Sequence, residues 1–253
     1  MTKPYLLAES TWETLRRHRY EVAVLPWGAT EAHNRHLPCA TDTIQCDAVA
    51  AAAAEIAWAA GAKVLVLPTV PFGVQTGQLD IPGCLNLNPS TQLAVLADLA
   101  ASLGPTGVRK LVILNGHGGN DFRQMIRELS PRTSLFLCQL NWYTAVNPAG
   151  YFETPGDHAG ELETSVMLHV APGLVAPLET AGPGSARRFR VEGLADGTAW
   201  APRRWTSVTE DTGVGDPRAA TAAKGASFLG AVAEKVGRFL ADLAAADPDD
   251  LYH

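Results

Sequence analysis

Short apolar runs alternate with longer amphipathic stretches through the first 140 positions. Residues 21–25, 63–67, 110–114 and 134–140 are dense in Val, Leu and Ile, the pattern of strands buried on both faces. Between and after them, helical spacing predicts helices over 42–60, 90–103, 120–129, 159–170 and 217–245. Ser90 after Pro89 reads as a helix start, and Gly61 and Gly104 stand where helices should stop. Strand–helix alternation of this kind implies an α/β fold with a mainly parallel sheet and helices on both faces. Residues 181–215 break the pattern with several Gly and Pro and with Arg187, Arg188, Arg190, Arg203 and Arg204. They predict an extended hairpin or flap, or else a solvated surface excursion. No linker or repeat divides the chain, so residues 1–253 are expected to form a single domain.

Composition narrows the partners. At 47% hydrophobic and 18% charged residues, the 253-residue chain can bury a substantial core. Its net charge of −6 argues against a nucleic acid or an anionic membrane, which call for basic surface, and leaves small molecules. Cys39, Cys46, Cys84 and Cys138 form no CxxC, which suits reduced thiols in a cytoplasmic protein. The N-terminus lacks the apolar stretch of a signal peptide, and Glu55 interrupts the Ala-rich segment 48–62, so no membrane span is expected.

Three segments carry candidate chemistry. In the first, Gly28-Ala-Thr-Glu-Ala-His-Asn-Arg-His-Leu-Pro38 follows a strand, where ligands of open α/β sheets bind. Glu31 and His33 are two apart, so in extended backbone both point the same way. His36 adds a further imidazole. Asp42 can return from the helix start with a carboxylate able to bridge two cations, though it would equally serve as an N-cap. The second segment, Asn115-Gly-His-Gly-Gly-Asn120, surrounds His117 with glycines that let backbone approach a ligand closely. It is not a GxGxxG motif, and a phosphate cradle is the weaker reading. In the third, Gly156-Asp-His-Ala-Gly-Glu-Leu-Glu-Thr-Ser165, His158 and Glu161 are three apart and share a helical face, with Glu163 on another. Asp157 there reads as an N-cap or a substrate contact. Trp142 and Tyr143, or Trp200 and Trp205, offer pocket walls if they are not simply packing.

Together, Glu-x-His…His-Leu-Pro…Thr-Asp, Asn-Gly-His-Gly-Gly-Asn and His-Ala-Gly-Glu-x-Glu-Thr-Ser resemble the creatininase (creatinine amidohydrolase) family, in order from about residue 25 to 168. The resemblance implies a three-layer α/β/α sandwich, a homo-oligomer, often a hexamer, and two divalent metals per chain. It places Glu31 and His117 on one metal, His33 on the other, Asp42 between them, and gives His158 a proton-transfer role. Two departures stand out. Creatinine-hydrolysing members carry a metal-binding Glu two residues after the second-loop His, where this chain has Gly119. Ala32 and Asn34 also stand where Gln and Gly are commoner, pointing to a subgroup with its own substrate. Glu161, sharing a face with His158, is the replacement carboxylate for the second metal and a catalytic candidate. His36, Trp142 and Asp157 are the candidates for substrate contact.

Mixed imidazole and carboxylate ligands suit zinc, manganese or iron. Such a cation lowers the pKa of bound water towards ~7 and polarises a carbonyl, supplying nucleophile and electrophile together. The expected reaction is hydrolysis of a small cyclic amide or N-acyl substrate. The alternative is opening of a cyclic ketone such as a keto-inositol by C–C hydrolysis. A non-catalytic binding protein on the same fold is a third reading, to which Gly119 points and from which the joint presence of Glu31, His33, Asp42, His117 and His158 points away.

Overall fold

The computed structural model describes residues 3–252. Its centre is a parallel sheet of four strands, β1 (Val22–Trp27), β2 (Val64–Val66), β3 (Lys110–Asn115) and β4 (Phe136–Asn141), in the order β2-β1-β3-β4. Val22 lies beside Val64 on one side and Lys110 on the other, and Lys110 beside Phe136. β1 and β3 are buried along their whole length, which is why they read as continuous apolar runs without alternation.

Alternate residues of β1 feed two separate cores. Val22 and Val24 pack with the Thr41–Ala59 and Ala222–Ala245 helices through Val49, Ala53, Phe228 and Val232. Ala23, Leu25 and Trp27 pack on the other face against the Pro89–Leu103 and Arg123–Leu129 helices through Leu96, Ala100 and Met125. The result is the expected three-layer α/β/α sandwich. Among the described residues, no helix is long and apolar enough to cross a membrane.

Expected element edges shift where capping decides them. The Pro89–Leu103 helix starts one residue early, with Asn88 as N-cap and Pro89 in the first turn, where its missing N–H costs nothing. The helix expected from residue 159 begins instead at Glu161, because Ala159 adopts a left-handed φ of 50° and Gly160 is extended. Residues 181–215 contain no strand; they run irregularly through the short turns Glu192–Ala195 and Trp205–Val208. The chain passes from β1 outward to β2, then back across to β3. The carboxyl ends of β1 and β3 are therefore a switch point, where a crevice forms in such sheets.

Candidate active site

The segments following β1 and β3 meet at that crevice. Glu31, His33, Asp42 and His117 are all buried there, joined by His158 and Glu163 from the far side. His33 Nε2 lies 3.1 Å from Asp42 Oδ1, while His117 Nδ1 lies 2.9 Å from Glu31 Oε1 and 3.0 Å from Asp42 Oδ2. Asp42 thus presents one oxygen to each histidine. His158 Nδ1 is 3.7 Å from Glu31 Oε1, and its ring centre is 4.3 Å from that of His33.

Each histidine is oriented by a backbone carbonyl. His33 Nδ1 donates to Glu31 O at 3.1 Å, His117 Nε2 to Val74 O at 3.0 Å and His158 Nε2 to Ala32 O at 2.8 Å. A carbonyl oxygen can only accept, so each of these nitrogens carries its proton. The opposite nitrogen of each ring then faces carboxylate oxygens, with either a second proton or a cation between them. Two of the carboxylates are pinned in the same manner. Gln78 Nε2 donates to Glu31 Oε2, and the Ala159 N–H donates to Glu163 Oε2, leaving each Oε1 turned to the cluster.

The electrostatics follow from this crowding. Burial alone would push the His33 imidazole down, but Asp42, Glu163 and Glu31 outweigh it and raise it to about 10 when no cation is present. His117 is opposed by burial too and driven well up by Glu31 and Asp42. Burial raises Glu163 above the usual carboxylate range despite His33 and His158. For Asp42, burial raises and the two histidines lower, and the histidines win.

The ligand atoms fall into overlapping sets, Glu31–Asp42–His117, His33–Asp42–Glu163 and Glu31–His33–His158, each within 4.8 Å. Asp42 Oδ2 is buried with no hydrogen bond of proper geometry, as an oxygen kept for a cation would be. The nitrogen and oxygen donors fit zinc, manganese or iron. A cavity of about 550 Å³ opens above, lined by Asp42, His158 and Glu163 and walled by Tyr143, Trp200 and Trp205. That is the size of a small-molecule site.

The creatininase family model, described as creatinine amidohydrolase, matches residues 8–240, nearly the whole chain. The chain belongs to the creatininase family. It is 30% identical to the mycofactocin precursor peptide peptidase of Mycobacterium tuberculosis over 230 residues, 86% of this chain and 84% of that one. A Bacteroides fragilis protein provisionally named a creatinine amidohydrolase has a crystal structure that aligns over all of both chains, with 43% identity and a TM-score of 0.94. Creatininase in a manganese form and in a Zn–Zn form shares the fold, with a TM-score of 0.78 for each at 22% and 23% identity, over 96% of this chain and 100% of theirs. The protein is thus a hydrolase of this family.

Three sequence expectations need correction, and for a fourth residue, Asp157, only the N-cap alternative falls away. Glu161 does not join the cluster. Its Oε1 pairs with Lys224 Nζ at 2.6 Å and its Oε2 accepts from the N–H groups of Thr154 and Glu153, at 2.7 and 2.8 Å. The carboxylate in that place is Glu163; a helical-face argument failed because His158 precedes the helix rather than lying on it. His36 is no substrate contact, since its Nε2 bonds Thr164 Oγ1 at 2.8 Å in the interior, where burial and His33 hold the ring down at about 4. Trp142, only 1% exposed, packs in the core, and its neighbour Tyr143 lines the cavity instead. Asp157 caps no helix but sits on the cavity wall, paired with Arg203 at 2.9 Å. Burial and the nearby Asp42 and Glu163 raise the Tyr143 phenol to about 12, so it stays protonated.

Gly119 and Asn34 have local reasons. A Cβ on Gly119 would press into Val74 O and His117 Nε2, the very bond that orients His117. Asn34 has a φ of 54°, the left-handed region that Gly and Asn tolerate best. Sequence reasoning missed Gln75 and Gln78. The available signal was the long connection between β2 and the Pro89–Leu103 helix, because loops of that length in a compact domain usually carry function.

Proposed function

We propose that this protein is a metal-dependent amidohydrolase with two divalent cations per chain, cleaving the C–N bond of a small cyclic or N-acyl amide. The observation that carries the reading is the set of three buried histidines, each donating one ring nitrogen to a backbone carbonyl and turning the other onto shared carboxylates. This pairing of an oriented ring with an outer acceptor is how ligating histidines are held in metal sites. Glu31, Asp42 and His117 would hold one cation, and His33, Asp42 and Glu163 the other, with Asp42 common to both. When bound, the cations acidify a water molecule and polarise the scissile carbonyl.

The remaining work falls to the protein. His158, fixed through Nε2 on Ala32 O, turns Nδ1 to the edge of the cluster, 3.7 Å from Glu31 Oε1, where it is placed to pass a proton to the leaving nitrogen, a role generally worth about 10²–10⁴ in rate. Trp205 packs on His158 with ring centres 4.7 Å apart, and the Arg203 guanidinium lies 4.8 Å from the Trp205 ring centre. This stack shields the His158 side of the cavity from water. An amide substrate is supported by the names of the relatives: the family description refers to creatinine amide hydrolysis, and the mycobacterial relative is a peptidase. The manganese and Zn–Zn forms of creatininase support the choice of metals.

The test is metal content per chain on protein purified without chelator, combined with hydrolysis of a panel of lactams, cyclic ureides, N-acyl amino acids and oxidised inositols. Nearly two metals, with amide hydrolysis abolished by chelation and restored by manganese or zinc, is the expected result. Turnover of an oxidised inositol alone would replace the amide reading, and full activity without metal would end the metal reading.

A further inference from the structure

The hydrogen bonds around Glu31 close into a ring through one sulfur atom. Gln78 Nε2 donates to Glu31 Oε2, and the Cys84 thiol donates to Gln78 Oε1 at 3.2 Å. The same sulfur accepts the Ala32 N–H at 3.2 Å. That N–H belongs to the peptide between Glu31 and Ala32, whose carbonyl accepts from His33 Nδ1 at 3.1 Å. Glu31 is therefore gripped at its carboxylate and again at its own peptide, and His33 is oriented on that peptide. Among the described residues, Cys84 is the one cysteine whose thiol donates to another side chain.

The direction of each bond in the ring is forced. A carboxylate only accepts, so Gln78 must turn its NH₂ group to Glu31 and its Oε1 to Cys84. A carboxamide oxygen also only accepts, so the sulfur must supply the proton. Burial raises the Cys84 thiol above its ordinary range despite the Ala32 N–H, and it keeps that proton. The sulfur is delivered by backbone that is itself tied down. The Cys84 N–H donates to Ile81 O at 3.2 Å, and the Leu85 N–H to Thr30 O at 3.0 Å. Gln78 is buried, so without the thiol its Oε1 would lie in the interior with no partner, which is unfavourable. Relief comes when the carboxamide leaves this pose, and Glu31 Oε2 is then released. Loss of the sulfur would also free the peptide that orients His33.

We propose that Cys84 is a positioning residue for the metal centre, holding Glu31 through Gln78 and His33 through the peptide between Glu31 and Ala32. The proposal rests on the metal-dependent reading above. Cys84 acts as a neutral donor and acceptor and not as a thiolate ligand, since both bonding directions of its sulfur are taken up. Serine offers the same two functions at a shorter reach, whereas valine fills similar space and offers neither. This contrast separates hydrogen bonding from packing.

The experiment titrates metal-free wild type, Cys84→Ser, Cys84→Val, Gln78→Leu and the double variant Gln78→Leu/Cys84→Val with Mn²⁺ by calorimetry, beside thermal melting of each metal-free protein. Cys84→Val is expected to weaken Mn²⁺ binding about 10-fold, the low end of what outer partners of ligands contribute, and Cys84→Ser to stay within about threefold of wild type. In the Gln78→Leu background the effect of Cys84→Val should shrink to about threefold or less, because the carboxamide through which it acts is gone. Wild-type affinity in Cys84→Val overturns the proposal. So does a Cys84→Ser protein as weak as Cys84→Val, which would make the bulk of the sulfur the cause. A full loss that persists in the Gln78→Leu background, with melting several degrees lower, would make Cys84 structural and also overturns it. Wild type that takes up neither Mn²⁺ nor Zn²⁺ nor Fe²⁺ overturns the metal-dependent reading itself, and this proposal with it.

Discussion

Gly119 offers the sharpest test of how this site is built, because two opposite accounts predict opposite effects there. If the glycine were a vacated ligand position, Gly119→Glu would add a carboxylate and tighten metal binding. The structure argues otherwise, since a Cβ at 119 would drive into Val74 O and His117 Nε2. Even Gly119→Ala must push the 73–75 backbone away and break the His117–Val74 hydrogen bond of 3.0 Å. Forcing a methyl into packed surroundings costs about 1–3 kcal/mol. Losing the hydrogen bond adds roughly 0.5–1.5 kcal/mol. The sum, on the order of 2–4 kcal/mol, corresponds to a drop of about 5–15 °C in melting temperature for a chain of this size. His117 also loses the acceptor that fixes its tautomer, and outer partners of that kind are worth about 10–100-fold in metal affinity. Thermal melting of the metal-free protein, with metal titration by calorimetry, reads both effects on Gly119→Ala and Gly119→Glu. A Gly119→Glu protein that melts at or above wild type and binds metal more tightly would refute this reasoning.

Other perturbations separate the roles of neighbouring groups. Glu163→Gln removes the carboxylate facing His33, and metal content should fall from near two per chain towards one; an unchanged stoichiometry would take Glu163 out of the centre. Glu161→Ala should keep its metals but melt lower, by the roughly 1–3 kcal/mol of stranding buried donors, because Lys224 and the N–H groups of Glu153 and Thr154 lose their acceptor; metal loss would contradict its placement. His158→Ala should retain metal while kcat falls about 10²–10⁴-fold, and an undiminished kcat would remove it from the chemistry. For the metal-free protein, His33 rises from 6.5 to about 10 on folding, so its stabilising contribution is complete below pH 6.5 and is lost as pH climbs through 10. Metal must displace that proton, so uptake at pH 7.5 should release protons, measurable by calorimetry in buffers of different ionisation enthalpy, and zero release would count against the arrangement.

The fold was legible in the sequence because β1 and β3 are buried along their whole length and leave the plainest signature a chain can carry. The first two site segments were legible because they follow those strands directly. The third was misread in a specific way. A spacing of three between His158 and Glu161 counts only if both lie on one helix, and the left-handed backbone at Ala159 prevents that. Glu161 and Glu163 instead occupy the first and third helical positions. From the third position a glutamate reaches back to N–H groups before the helix, and here Glu163 meets that of Ala159. That reach turns its other oxygen to His33, while the first position leaves Glu161 beside Lys224.

Backbone acceptors and close approaches have no residue-type signature, and this explains why the loop after β2 stayed hidden. Val74 contributes its carbonyl to His117, Gln78 holds Glu31, and Gln75 borders the cavity unpaired, all within one turn of chain. The irregular segment 181–215 reaches the same turn: Gly77 lies so close to Arg203 O that a Cβ could not fit between them, and Thr206 Oγ1 donates to Asp80 at 2.9 Å. The segment that carries Trp205 onto His158 is therefore docked on the loop that orients His117 and Glu31. Two walls of the cavity and two of the candidate ligands share one support, so an error in that support would misplace all of them together. This mechanical dependence gives Gly77 and Gly119 a positive reason to be glycine, and the absence of a carboxylate at 119 then belongs to a site built differently rather than to one in decay.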